Sequence, residues 1–214
     1  MKALPPLAAT GIGSVPFLDV DQTLDLIARS CPELPFWPQM VRRHAREDMV
    51  LQFLDGLPLL EADEENRCAL VKTKGRADAL TEFYERFLSR DLDYFALPQE
   101  SCAGLAPFLE LARSRPEFGP EFLKAQVTGP VTFGLSIRTP DEKTILDDPE
   151  FADVIVKGLG AKAAWLAREI RAVGRTPLIF FDEPSLTGFG SAFSTLQRDE
   201  VIRLLNETAE TARS

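Results

Sequence analysis

The stretch Leu178-Ile179-Phe180-Phe181-Asp182-Glu183-Pro184 decides how this chain is read. Four apolar residues in succession, with no polar alternate, suit a strand buried on both faces, the pattern of a parallel sheet. Two carboxylates follow where such a strand ends, and Pro184 stiffens the exit. Just upstream, Phe151, Ile155, Leu159, Ala163, Leu166, Ile170 and Val173 recur at helical spacing and predict a helix over about 151–173. Gly174 ends that helix and Pro177 prevents its resumption. Helix followed by buried strand is the repeating step of an α/β fold with right-handed crossovers.

The same alternation extends toward the N-terminus. Phe122 to Val127 predicts a strand that ends in Thr128-Gly129-Pro130. Ala8 to Ser14 is small and apolar and reads as a short buried strand broken at Val15-Pro16, while Phe36 to Met40 reads as a strand or strand end interrupted by Pro38. Asp19, with Gln22 as its capping-box partner, starts a helix that buries Val20, Leu24, Ile27 and Cys31 and stops at Pro32. Further helices are predicted over Glu47 to Leu54 and over Ala77 to Leu88, the latter with Leu80, Phe83, Tyr84, Phe87 and Leu88 on one face. Ser101 is placed to cap a helix that buries Leu105, Phe108, Leu109 and Ala112. A last helix runs from about Gln197 to Ala212, with Val201, Leu205 and Ala212 inward. Between Leu57 and Lys74, turn residues flank a β-rich run that suggests a hairpin.

About four strand–helix units result, whereas a complete (β/α)8 barrel needs eight and typically about 250 residues. The expectation is one domain over residues 1–214, the N-terminal half to two-thirds of a TIM-type (β/α)8 barrel, incomplete at its C-terminal end. Such a portion leaves sheet edges exposed, so an oligomer or a missing C-terminal segment is expected to cover them.

Composition narrows the function. The 214 residues are 45% hydrophobic, which suits a packed core, and 24 basic against 33 acidic residues give a net charge of -9. Nucleic acid and anionic membrane surfaces both reward clustered Lys and Arg, so neither is expected as main partner. No apolar run approaches the roughly 20 residues that span a bilayer, and the N-terminus lacks the apolar core of a secretory signal. Cys31, Cys68 and Cys102 are odd in number and widely spaced, which is neither a disulfide framework nor a metal knuckle; a reducing, cytoplasmic setting is expected.

Function in parallel α/β folds sits where strands end. Three motifs lie there. Gly11-Ile12-Gly13-Ser14 offers close backbone approach, a hydroxyl and N–H groups, although the same residues also make an ordinary tight turn. Thr128-Gly129-Pro130-Val131-Thr132 forces a fixed bend that presents backbone groups to a pocket. Asp182 and Glu183 supply carboxylates beside an apolar strand, suited to an ammonium group, to base catalysis or to a metal; the plainer alternative is a loop cap at Asp182 and a solvated Glu183. The sole histidine, His44, lies in the basic run Arg42-Arg43-His44-Ala45-Arg46, a solvated patch or a partner for an anion. One His and three scattered Cys make no recognisable zinc set.

Taken in order, Ile12-Gly13-Ser14, Arg46-Glu47-Asp48-Met49-Val50, Thr128-Gly129-Pro130-Val131-Thr132 and Asp182-Glu183-Pro184-Ser185-Leu186 resemble the catalytic barrel of cobalamin-independent methionine synthase, in the superfamily that also holds uroporphyrinogen decarboxylase. Phe36-Trp37-Pro38-Gln39 resembles the matching segment of shorter, single-barrel relatives. The resemblance implies that Ile12, Gly13, Ser14 and Asp182 hold the amino-acid part of a substrate such as homocysteine, with Thr128 and Glu183 near the pocket. It implies zinc, which ionises the substrate thiol, on ligands that are not among these 214 residues. Basic sequence around Arg43, Ser136 and Gly188 stand where that family carries an acidic residue, a folate-stacking tryptophan and a second acidic residue. The resemblance therefore implies a small-molecule thiol or amino-acid substrate and a methyl donor other than folate, such as a corrinoid protein. A decarboxylase-like enzyme and a non-catalytic small-molecule-binding barrel fragment remain the alternatives.

Overall fold

The computed structural model describes residues 3–4, 6–190 and 197–214. Among these the chain is mixed α/β. Its elements are α1 (Val20–Ser30), β1 (Leu60–Asp63), β2 (Cys68–Val71), α2 (Arg76–Leu88), α3 (Leu105–Ser114), β3 (Phe122–Thr128), α4 (Pro130–Leu135), α5 (Pro149–Ala172), β4 (Thr176–Asp182) and α6 (Arg198–Arg213). No helix of the described residues is long and apolar enough to cross a membrane. The chain groups into two compact units. The first comprises Met1–Asp48, Pro98–Gln126 and Leu166–Phe180; the second comprises Met49–Leu97, Val127–Trp165 and Phe181–Ser214.

In the first unit, four chain segments lie side by side in sequence order. Ser14 bridges Gln39 in parallel and Phe36 bridges Lys124 in parallel. The bridges are made by the Gln39 N–H to the Gly13 carbonyl (3.0 Å), the Val15 N–H to the Gln39 carbonyl (3.0 Å) and the Trp37 N–H to the Lys124 carbonyl (3.0 Å). β3 then pairs with β4. Thr176 donates to Glu121 within the first unit and Gly129 donates to Asp182 within the second, so partner numbers rise together and the pair is parallel. Asp19 caps α1 by accepting from the Gln22 N–H at 2.9 Å, as its sequence predicts, and Leu24 and Ile27 are buried beneath it.

In the second unit, β1 and β2 form the expected antiparallel hairpin, with Leu60 opposite Val71 and Asp63 opposite Cys68. α2 is tied to the start of α5: the Arg76 guanidinium holds Asp148 and Glu150, and the Tyr84 hydroxyl donates to Asp153 at 2.6 Å. α4 packs against α6.

Several expectations need correction. Ala8 to Ser14 is not a buried strand: it pairs only at Ser14, and Ala9, Thr10, Ile12 and Ser14 are exposed. Glu47 to Leu54 forms no α-helix but two 3-10 turns, Ala45–Glu47 and Leu51–Phe53. Ser101 lies within the 3-10 turn Gln99–Ser101, and α3 starts later, after Gly104. Leu88 is 78% exposed at the end of α2, and in α6 it is Leu204 rather than Leu205 that is fully buried. Periodicity alone cannot place a residue that falls on the border of an apolar stripe. The largest difference concerns β4. Its residues are half-buried, and Phe180 is 42% exposed. Among the described residues β4 has β3 as its only strand neighbour, so it is an edge strand where its composition predicts an interior one.

Candidate functional site

Two of the three strand-end motifs form one hydrogen-bonded assembly in the second unit. The N–H of Gly129, just past β3, donates to the Asp182 carbonyl at 2.9 Å. The Glu183 carboxylate accepts from the Val131 N–H at 2.9 Å and the Thr132 N–H at 2.6 Å, two of the N–H groups that open α4. The Thr132 hydroxyl in turn accepts from the Ser185 N–H at 3.1 Å. The Thr128 hydroxyl donates to the Met49 carbonyl at 2.5 Å, which ties the Asp48-Met49-Val50 segment to the same strand end. Residues some fifty positions apart are thereby locked together at the C-terminal ends of β3 and β4.

The absence of a side chain at position 129 leaves room for the Glu183 carboxylate. A Cβ there would lie 2.3 Å from the Glu183 carboxyl group. Glu183 is half-buried, with its carboxylate against the first turn of α4. Burial pushes its carboxyl above the usual value; bonds from Thr132 and Val131 oppose that shift, and the adjacent Asp182 adds to it. Its position is that of a cap for the α4 N-terminus. Asp182 itself is half-buried at the last position of β4, held through its carbonyl.

The Gly11–Ser14 motif belongs to the first unit. Gly13 has φ 133°, and a Cβ there would meet the Gln126 amide at 2.4 Å and the Gln39 side-chain oxygen at 2.7 Å, so only glycine fits. Below the loop lies Lys124, which is 1% exposed. Its ammonium donates to the carbonyls of Gly11 and Ile12, each at 2.8 Å, and lies 4.6 Å from the centre of the Phe180 ring. Gln126 donates from its amide to the Trp37 carbonyl at 2.9 Å.

The basic run is also in the first unit. His44 caps the turn at Ala45–Glu47 by accepting from the Arg46 N–H at 3.2 Å. Arg46 lies 3.6 Å from Glu100, and Arg43 lies 3.8 Å from Glu47. Arg43, His44, Pro98, Gln99 and Glu100 border a cleft of about 860 Å³. Glu47 is fully buried and accepts from the Met40 N–H at 2.8 Å, and burial raises its carboxyl. Burial, with Glu47 nearby, pushes the Cys102 thiol up to about 12, so it is an inert neutral group.

Lys124, Gln126 and Glu47 are not among the candidate site residues that the sequence motifs supply. For the first two a signal exists: Lys124, Gln126 and Thr128 alternate with Leu123, Ala125 and Val127, a period-two polar face on a strand otherwise apolar. Nothing local marks Glu47 as buried. Among the described residues no three His, Cys, Asp or Glu side chains converge as metal ligands. Cys31, Cys68 and Cys102 are free thiols.

No protein-family model matches the chain, and no curated protein or solved structure matches it either.

Proposed function

We propose that this chain is the N-terminal part of a TIM-type (β/α)8 barrel that captures a small amino-acid thiol, such as homocysteine, for a methionine-synthase-like methyl transfer. The observation that carries the reading is the union of the Thr128–Thr132 and Asp182–Ser185 motifs through Glu183 at the ends of adjacent parallel strands. Catalytic groups of (β/α)8 enzymes gather at that end of their strands. The four parallel segments in chain order add support, since consecutive strands of such a barrel are neighbours. In this reading Asp182, in the second unit, is the candidate for an ammonium group, and the Ile12-Gly13-Ser14 backbone with the Ser14 hydroxyl, in the first unit, is the candidate for a carboxylate, each taken by itself. What is proposed for these residues is substrate capture. The methyl donor is a corrinoid or another non-folate carrier. The three free thiols suit a cytoplasmic setting.

Calorimetric titration with L-homocysteine tests the reading. Asp182→Asn keeps shape and removes charge; a lost charge-assisted bond of about 1.5–3 kcal/mol weakens binding about ten-fold or more. Melting curves should show the variant folded. Unchanged affinity in a folded Asp182→Asn protein would reject the role, and a wild-type protein that does not bind homocysteine would reject the substrate.

A further inference from the structure

We infer that Lys124 is a positioning residue: by clamping the Gly11 and Ile12 carbonyls, it turns the Ile12 and Gly13 N–H groups outward as a paired receptor for a carboxylate. This rests on the proposal that the Gly11–Ser14 loop receives the substrate carboxylate. The argument begins with peptide geometry. No described peptide bond is cis, so the C=O and N–H of each unit point in opposite directions. The Gly11 carbonyl shares its plane with the Ile12 N–H, and the Ile12 carbonyl with the Gly13 N–H. Both carbonyls accept from the Lys124 ammonium at 2.8 Å. Both N–H groups therefore face away from it, side by side. Among the described residues neither N–H donates to a backbone or side-chain acceptor.

Two successive N–H groups aimed at one side make an anion-binding concavity. Lys124 contributes in two ways. Its two bonds fix both peptide planes, so the N–H pair does not have to be ordered when ligand arrives. Its charge sits on the carbonyl side of the same peptides, in a buried place where an ammonium polarises each unit toward a stronger N–H donor. The Phe180 ring against the ammonium and the Gln126 oxygen at 3.4 Å keep Lys124 in place. Two adjacent N–H donors on one side suit the two oxygens of a planar carboxylate.

Amide NMR on the full chain tests the inference, with Ile12 and Gly13 N–H signals followed during titration with L-alanine, L-homocysteine and L-homocysteine methyl ester. In the wild type, both acids should shift these signals and the ester should bind about ten-fold more weakly. In Lys124→Met, with the remaining spectrum native, the penalty for esterification should fall below about three-fold, because the receptor no longer distinguishes charge. If Lys124→Met does not fold, Lys124→Gln, which keeps a donor but no charge, should reduce the ester penalty in the same direction. An unchanged ester penalty in a folded variant overturns the inference and leaves the substrate assignment intact. Signals that move equally with alanine and homocysteine support the clamp and count against a thiol substrate. Wild-type signals that no acid moves overturn the clamp.

Discussion

Removing the Glu183 carboxylate should unlock the two motifs of the second unit. Glu183 accepts from the Val131 N–H at 2.9 Å and from the Thr132 N–H at 2.6 Å. α4 is only six residues long, so it has few internal bonds to compensate. In Glu183→Ala both N–H groups lose their partner, at about 1–3 kcal/mol each. Deleting a half-buried acid returns part of this, since burial already raises its pKa and the ionised form is costly there. The net loss should be about 2–4 kcal/mol, a large share of a typical domain's 5–15 kcal/mol. Glu183→Gln keeps one acceptor but turns its amide NH2 toward the other N–H, and should lose about 1–3 kcal/mol. Urea unfolding gives the totals, and amide hydrogen exchange localises them: Val131 and Thr132 should lose protection first. If both variants unfold within about 0.5 kcal/mol of wild type, the lock does not hold the motifs together and the reasoning fails.

Two further outcomes follow from the second unit. Lys162 is fully buried on α5, its ammonium donates to the Asp55 main-chain carbonyl, and burial lowers its pKa from 10.5 to about 8. Between those values the unfolded chain holds the extra proton, so stability should rise with pH, by about 2 kcal/mol from pH 8 to 9.5. Lys162→Met should flatten that rise in urea titrations, and a flat wild-type profile would refute it; Tyr84, whose pKa burial raises, acts in the opposite sense only above its ordinary value of 10. Thr128→Val removes the bond to the Met49 carbonyl and should lower stability by about 1 kcal/mol in the same assay, with no loss if that bond contributes nothing.

Several features follow from local chemistry and were legible in the chain itself. The α1 cap needs only Asp19 and Gln22 in reach of one turn. The apolar stripe from Phe151 to Val173 is buried as its periodicity predicts, and Phe122 to Val127 forms a strand where the sequence predicts one. The β1–β2 hairpin forms where the turn residues place it. Each of these is decided by side chains within a few positions of one another, where spacing alone fixes which groups meet.

Tertiary structure decided the rest. Nothing near Glu183 in sequence shows that its carboxylate caps a helix begun fifty residues earlier, and nothing near Lys124 shows that it holds Gly11 and Ile12. Both are contacts across parallel strands, whose crossover connections separate spatial neighbours by tens of residues. The exposure of β4 is the clearest case. Leu178 to Phe181 are apolar enough for an interior strand, yet β4 has a strand neighbour on one side only among the described residues. A residue's apolarity states what it would gain from burial; whether a neighbour is present to bury it is a property of the assembled sheet.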